Sequence, residues 1–213
     1  MKLTFKNTIQ SYLLVIFFGL LAGSLCAVLD LFPNDSIWTF SSFSGSLGFW
    51  ALSGMLILMQ SENWKLSAIN TFLYFAFMNT AFFFVHLLLP FQFPRVSTIS
   101  EACLQSLAWT IPSLGCGLCA ILTCQAKKDN WLGIITLSLP CGLMLYEFIC
   151  TLFSVFINHR YLFQTVVDLC GIILLFCLYK GKKNPLFLCL TIAGGAAALL
   201  LLHCLLYQNL LYY

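Results

Sequence analysis

Charge is what this sequence has least of. Ten basic and seven acidic side chains in 213 residues make up 8% of the chain, where a soluble domain carries about 25%. So few charges cannot coat a surface that faces water, which excludes a soluble enzyme, a nucleic-acid binder and a disordered chain. Histidine is nearly as scarce, with three residues, and no His-Glu-x-x-His, paired-Asp motif or phosphate loop occurs. No catalysis, cofactor or metal is therefore expected. The eleven cysteines are an odd number and lie almost entirely inside apolar runs, where a thiol is a small hydrophobe, so a secreted disulfide scaffold is excluded too.

What the sequence does have is apolar surface. Hydrophobic residues are 61% of the chain, 21 of them Phe, and the mean hydropathy is +0.96. A bilayer is the solvent that tolerates this composition. Apolar runs long enough to cross it fall at about 9–31, 41–60, 66–90, 102–124, 131–157, 161–179 and 186–207. The expectation is an all-α, polytopic transmembrane bundle of about seven spans, forming one integral membrane domain over 1–213. Short polar connectors such as Pro33-Asn34-Asp35, Ser61-Glu62-Asn63 and Lys127-Lys128-Asp129-Asn130 separate the runs. The second run is short and rich in Gly and Ser, so a re-entrant segment reads as well as a full crossing. Pro140 gives the long fifth run a place to kink.

Basic residues set the orientation, because Lys and Arg in short loops stay on the cytoplasmic side. With the N-terminus inside, Lys2, Lys6, Lys65, Lys127, Lys128, Lys180, Lys182 and Lys183 are cytoplasmic, and Arg95 and Arg160 are outside. The C-terminal Tyr212-Tyr213 then lies outside, near an aromatic belt with Trp38 and Tyr161. The start resembles a signal peptide, but its apolar run is too long and Leu25-Cys26-Ala27 is no cleavage site, so it reads as an uncleaved first helix.

Small and polar residues mark the faces that helices turn toward each other in lipid. The first span carries Gly19, Gly23 and Ala27 at spacing four, with Asp30 continuing the face. This stripe suits packing within the chain or docking of a partner membrane subunit. Further stripes are Ser106, Thr110, Ser113 and Gly117 on the fourth span, Glu147, Thr151 and Ser154 on the fifth, and Tyr161, Gln164, Thr165, Asp168 and Gly171 on the sixth. Asn79 and His86 share a face of the third.

A rise of about 1.5 Å per residue puts Glu147 roughly 15 Å, Asp168 about 10 Å and His86 about 6 Å below the outer ends of their spans. Asp30 and His203 lie closer to the surface. A carboxylate in hydrocarbon costs about 2.5 to 3.5 kcal/mol, so such groups face the bundle interior or a wet cavity. No Lys or Arg lies within a span to neutralise Glu147 or Asp168. These two fall on consecutive antiparallel helices joined by Asn158-His159-Arg160, at depths about 5 Å apart. Two adjacent carboxyls in low dielectric do not both ionise cheaply, so the pair is a candidate proton or cation site. Glu147, Asp168, His86 and Asp30 are the candidate ligand residues, expected round a pocket in the outer half.

Cys116-Gly117-Leu118-Cys119 has the spacing of a redox pair, yet nothing near it would activate a thiol, so packing is expected. Ala51-Leu52-Ser53-Gly54 is one residue away from the motif of intramembrane serine proteases and lacks a facing His base.

The stretch Ile37-Trp38-Thr39-Phe40-Ser41-Ser42-Phe43-Ser44-Gly45-Ser46-Leu47-Gly48-Phe49-Trp50 resembles a group of small bacterial integral membrane proteins, the domain of unknown function 6518 family. Leu139-Pro140-Cys141-Gly142-Leu143-Met144-Leu145-Tyr146-Glu147 looks like the small-residue-then-Glu stretch of their later spans. That resemblance implies a bacterial inner-membrane protein and transfers no functional residue. The stripe Gly19, Gly23 and Ala27 with the outer polar cluster is also similar to the membrane-embedded substrate-binding subunits of energy-coupling factor transporters. The function expected is a solute- or ion-binding, transport-related subunit. The alternative is a structural or regulatory membrane partner with no ligand site.

Overall fold

A computed structural model of the chain describes residues 4–32, 36–89, 95–179 and 185–211. The turn Pro33-Asn34-Asp35, Lys2, the basic cluster Lys180, Lys182 and Lys183, and Tyr212-Tyr213 lie outside the described residues. Among those described there is no strand. The α-helices are α1 (Ile9–Leu29), α2 (Leu47–Gln60), α3 (Trp64–Leu88), α4 (Ile99–Thr123), α5 (Trp131–Asn158), α6 (Leu162–Tyr179) and α7 (Pro185–Leu211).

Polar residues just outside the apolar runs start the long helices. Thr8 accepts a hydrogen bond from Ser11 N, Asn63 from Leu66 N, Thr98 from Glu101 N and Asn130 from Gly133 N. Each side chain satisfies an N–H that the first helical turn leaves open, worth about 1 kcal/mol. At α4, Glu101 also bonds back to the cap residue, closing a capping box.

The span expected at 41–60 differs from this pattern. Residues Phe40–Gly45 form a 3-10 turn, and the α-helix begins only at Leu47. Ser46 causes the break: its hydroxyl accepts from Phe49 N at 3.2 Å, so it caps a new helix and does not continue the old turn. The remaining 14 residues reach about 21 Å, less than the roughly 30 Å of a hydrocarbon core.

Among the described residues four stretches are long and apolar enough to cross a membrane: Ile9–Leu29, Trp64–Leu88, Ile99–Lys127 and Trp131–Asn158. Leu47–Gln60, Leu162–Cys177 of α6 and Phe187–His203 of α7 are shorter apolar stretches. On α4, Leu104, Leu107, Ile111, Leu114, Leu118 and Leu122 follow one another at helical spacing and each is at least half exposed. A continuous bare apolar stripe of this kind is a lipid-facing surface.

The chain divides into two compact units. The first comprises Met1–Asp35, Thr39–Gly45 and Ser53–Cys124, and the second Ser36–Trp38, Ser46–Leu52 and Gln125–Tyr213.

In the first unit α3 is central, with α1 and α4 packed on it. The α1 stripe makes the first contact possible. A Cβ on Gly19 would stand 2.5 Å from the Tyr74 carbonyl oxygen, and one on Gly23 would overlap that of Met78. The stripe is thus covered by α3 of the same chain. The α4 stripe is covered likewise: Gly117 lies against Ala68 and Phe72, and Asn79 donates to Ser113 at 3.2 Å. Tyr74, Phe75, Met78, Phe82 and Phe83 fill the core between them. Phe5 is tied to the turn before α3, its N–H donating to the Gln60 carbonyl and its carbonyl accepting from Glu62 N.

In the second unit α5 packs against both α6 and α7. Gly142 brings α5 close to the α7 backbone at Ile192 and Ala196. Gly171 makes room on α6 for Met144 of α5 and for Leu52. Leu137, Met144 and Leu175 are fully buried.

Gly23→Ala should lower the melting temperature of the purified protein, because the new methyl meets backbone and not a side chain that can turn away; overpacking costs about 1 to 3 kcal/mol. Gly194, with open space round it, is the control, and Gly194→Ala should melt at or above the parent temperature.

Candidate functional site

The second unit gathers its polar residues at the start of α2. The first helical turn leaves N–H groups without intrahelical acceptors, and Glu147, reaching over from α5, supplies one for them. Its Oε1 accepts from Leu47 N at 3.1 Å, and its Oε2 accepts from Gly48 N and from the Ser46 hydroxyl at 3.2 Å. Gln164 of α6 donates its side-chain N–H to Oε1 at 2.5 Å. Four donors converge on one carboxylate.

Asp168 lies one helical turn along α6 from Gln164 and is fully buried. Neither of its oxygens has a hydrogen-bond partner. Its neighbour is Glu147: at the place where a Cβ on Gly48 would stand, that atom would overlap Asp168 Oδ1 and come within 2.7 Å of Glu147 Oε2. Glycine at 48 is what lets the α2 backbone come this close to two acids. The α5–α6 turn sets the opposition of the helices. His159 ends α5 in the left-handed region at φ 53, Tyr161 follows at φ 70, and Leu162 N donates to the Ile37 carbonyl at 3.0 Å.

Asp30 and His86 meet in the first unit. Asp30 is the C-cap of α1, and its Oδ2 lies 3.3 Å from His86 Nε2 and 3.0 Å from Arg95 Nε, while Ser44 donates to Oδ1 at 3.3 Å. The Asp30 and His86 side chains are buried, whereas that of Arg95 is 52% exposed. Phe82 completes the cluster, its ring tilted against that of His86 and lying under the Arg95 guanidinium. Asp30 thus has a charged partner, and its position suits tying the end of α1 to α3.

Of the four candidate residues, the structure therefore pairs Glu147 with Asp168 and Asp30 with His86, each pair within its own unit. His203 contacts the Tyr146 hydroxyl through Nδ1. A cavity of about 330 Å³ in the first unit is lined by apolar residues such as Phe18, Leu21 and Ile57 with Ser53, Gln60 and Tyr74, and neither Asp30 nor His86 borders it. Cys116 and Cys119 are free thiols. Among the described residues no group of three or more His, Cys, Asp or Glu is arranged to hold a metal ion.

The structure adds residues that sequence reasoning did not connect with the acids. Ser46, Leu47 and Gly48 act mostly through backbone N–H groups, which leave no signature in side-chain type. Arg95 reads as an outer-loop charge, and a partner 65 positions away is not visible in local spacing. Gln164 had a signal, since it shares a face with Asp168.

Fold and site define a helical integral membrane protein with two acids side by side in its second unit. No protein-family model, curated protein or solved structure matches the chain.

Asp30→Asn should destabilise the protein more than Arg95→Gln, because Arg95 is half in solvent while Asp30 anchors three donors. Melting curves of the two variants and the double variant should give a coupling of about 0.5 to 3 kcal/mol. Equal losses from the two single changes would place the anchor elsewhere.

Proposed function

We propose that the protein is a small polytopic membrane subunit that binds a small solute or ion, with Glu147 and Asp168 at the centre of its site. The observation that carries this reading is Asp168. An acid kept only to hold helices together would be hydrogen-bonded to one of them, and this one is fully buried with both oxygens open. Leaving such a group unsatisfied costs about 1 to 3 kcal/mol or more, a penalty that a bound species removes.

The two stretches that resemble the domain of unknown function 6518 proteins come together at this site. One contributes Ser46, Leu47 and Gly48 and the other Glu147, and they meet at this carboxylate. Kinship with that group, and with it a place in the bacterial cytoplasmic membrane, belongs to the proposal. So does the topology of seven spans with the N-terminus inside and the C-terminus outside, which the eight-to-two distribution of basic residues supports. Reporter fusions after Lys65, Lys128 and Lys183 should all report cytoplasm, and an external signal at any of them breaks the topology.

The rival reading, a structural or regulatory subunit without a ligand, draws on the first unit. There the α1 and α4 stripes are used in packing on α3, and Asp30 is fully engaged by His86, Arg95 and Ser44.

Trp50, one turn into α2, is a reporter for the site. In nanodiscs, its emission in a variant with the other tryptophans replaced should respond to a pH step or to exchange of choline chloride for sodium or potassium chloride. Asp168→Asn should abolish the response while keeping the helical circular-dichroism spectrum. If the protein responds to none of these ions, the binding reading falls and the packing one stands.

A further inference from the structure

We propose that the exchangeable occupant of this site is a proton carried by Asp168, and that Glu147 is a fixed charge held by the N-terminus of α2. The inference rests on the ion-binding reading above and names the ion.

The two acids differ in what surrounds them. A carboxylate has about four lone-pair positions, and Glu147 meets four donors: Leu47 N, Gly48 N, the Ser46 hydroxyl and the Gln164 amide. All four groups point hydrogens at it, so a proton on Glu147 would displace one of them. The open end of α2 adds its partial positive charge at the same place. The acceptor positions of Glu147 are thus filled.

Asp168 has the opposite surroundings. It is fully buried, no donor reaches either oxygen, and a carboxylate already stands beside it. Within its unit, α5 brings Glu147 toward it, the first turn of α2 brings Ser46 and Gly48, and the adjoining turns of α6 bring Gln164, Thr165 and Gly171. None of these carries a positive charge. A second negative charge here would have nothing to balance it, whereas the neutral acid places no charge in the site.

A metal cation fits the same volume poorly. It would have to share Glu147 oxygens whose lone pairs are engaged, and it would face the positive ends of two backbone N–H groups and an amide. A proton needs one Asp168 oxygen and no coordination shell. On release, the Asp168 O–H bond breaks, the electron pair stays on the oxygen, and the proton passes to water. Two like charges then face each other beside the Gly48 backbone, which loads the contact between Glu147 and α2. Proton occupancy is in this way coupled to the start of α2.

Infrared difference spectroscopy of the protein in nanodiscs tests the assignment. The parent should show a protonated-carboxyl C=O band at neutral pH that shifts in D2O, Asp168→Asn should remove it, and Glu147→Gln should keep it. If Asp168→Asn does not fold, Asp168→Glu should move the band in its place. Absence of the band in the parent overturns the proposal, as does its persistence in Asp168→Asn. Loss of the band when sodium replaces choline, with the Trp50 response intact, overturns the proton but leaves the ion-binding reading standing. A Trp50 signal that follows no ion, with the band in place, removes the binding function while keeping the protonated Asp168.

Discussion

A helix that begins in an apolar environment has N–H groups that water cannot reach, and each must find an acceptor within the protein. At α2 this requirement is met by Glu147, with Ser46 capping the turn from within. The second unit depends on that one contact. It joins a short segment near residue 47 to α5, a hundred positions later in the chain. It also draws Gln164 of α6 to the same oxygen, and it leaves Asp168 as the acid for which no donor remains. The asymmetry of the pair thus follows from the α2 N-terminus using up one carboxylate and not two.

Close approach is the second constraint, and glycine meets it wherever backbone must touch. In lipid there is no hydrophobic drive between helices, so contact area depends on how near the axes come. Gly19 and Gly23 bring α1 onto the backbone of α3, Gly117 does the same for α4, and Gly142 for α5 against α7. Gly48 follows the same rule with a different consequence, since what it approaches is a pair of carboxyls and not another backbone. The other faces can then be greasy, as the exposed leucines of α4 are.

The first unit handles its buried charge in a different manner. Asp30 is paired with Arg95, whose side chain is half exposed, and is held in place by buried His86 of α3. Asp168 has no such partner. Two acids that look alike as isolated residues in apolar sequence therefore have different chemical prospects, one anchored and one open.

Composition, hydropathy and the polar breaks were enough to read an all-helical chain suited to a bilayer, because apolar run length and cap residues are local properties. Thr8, Asn63, Thr98 and Asn130 mark helix starts that are legible one residue at a time. Stripe spacing likewise indicated which faces pack, though not onto what: that α3 covers both the Gly19–Gly23 face and the Ser113–Gly117 face is decided by tertiary packing. The nearness of Glu147 and Asp168 could be expected from a short turn and the helical rise. Their difference could not, because it rests on backbone N–H groups of α2, which every non-proline residue carries and no side-chain pattern reveals. The break at Ser46 was hidden for a related reason, since Gly-Ser-rich sequence permits a helix, a turn or a cap until an acceptor from elsewhere in the chain selects one.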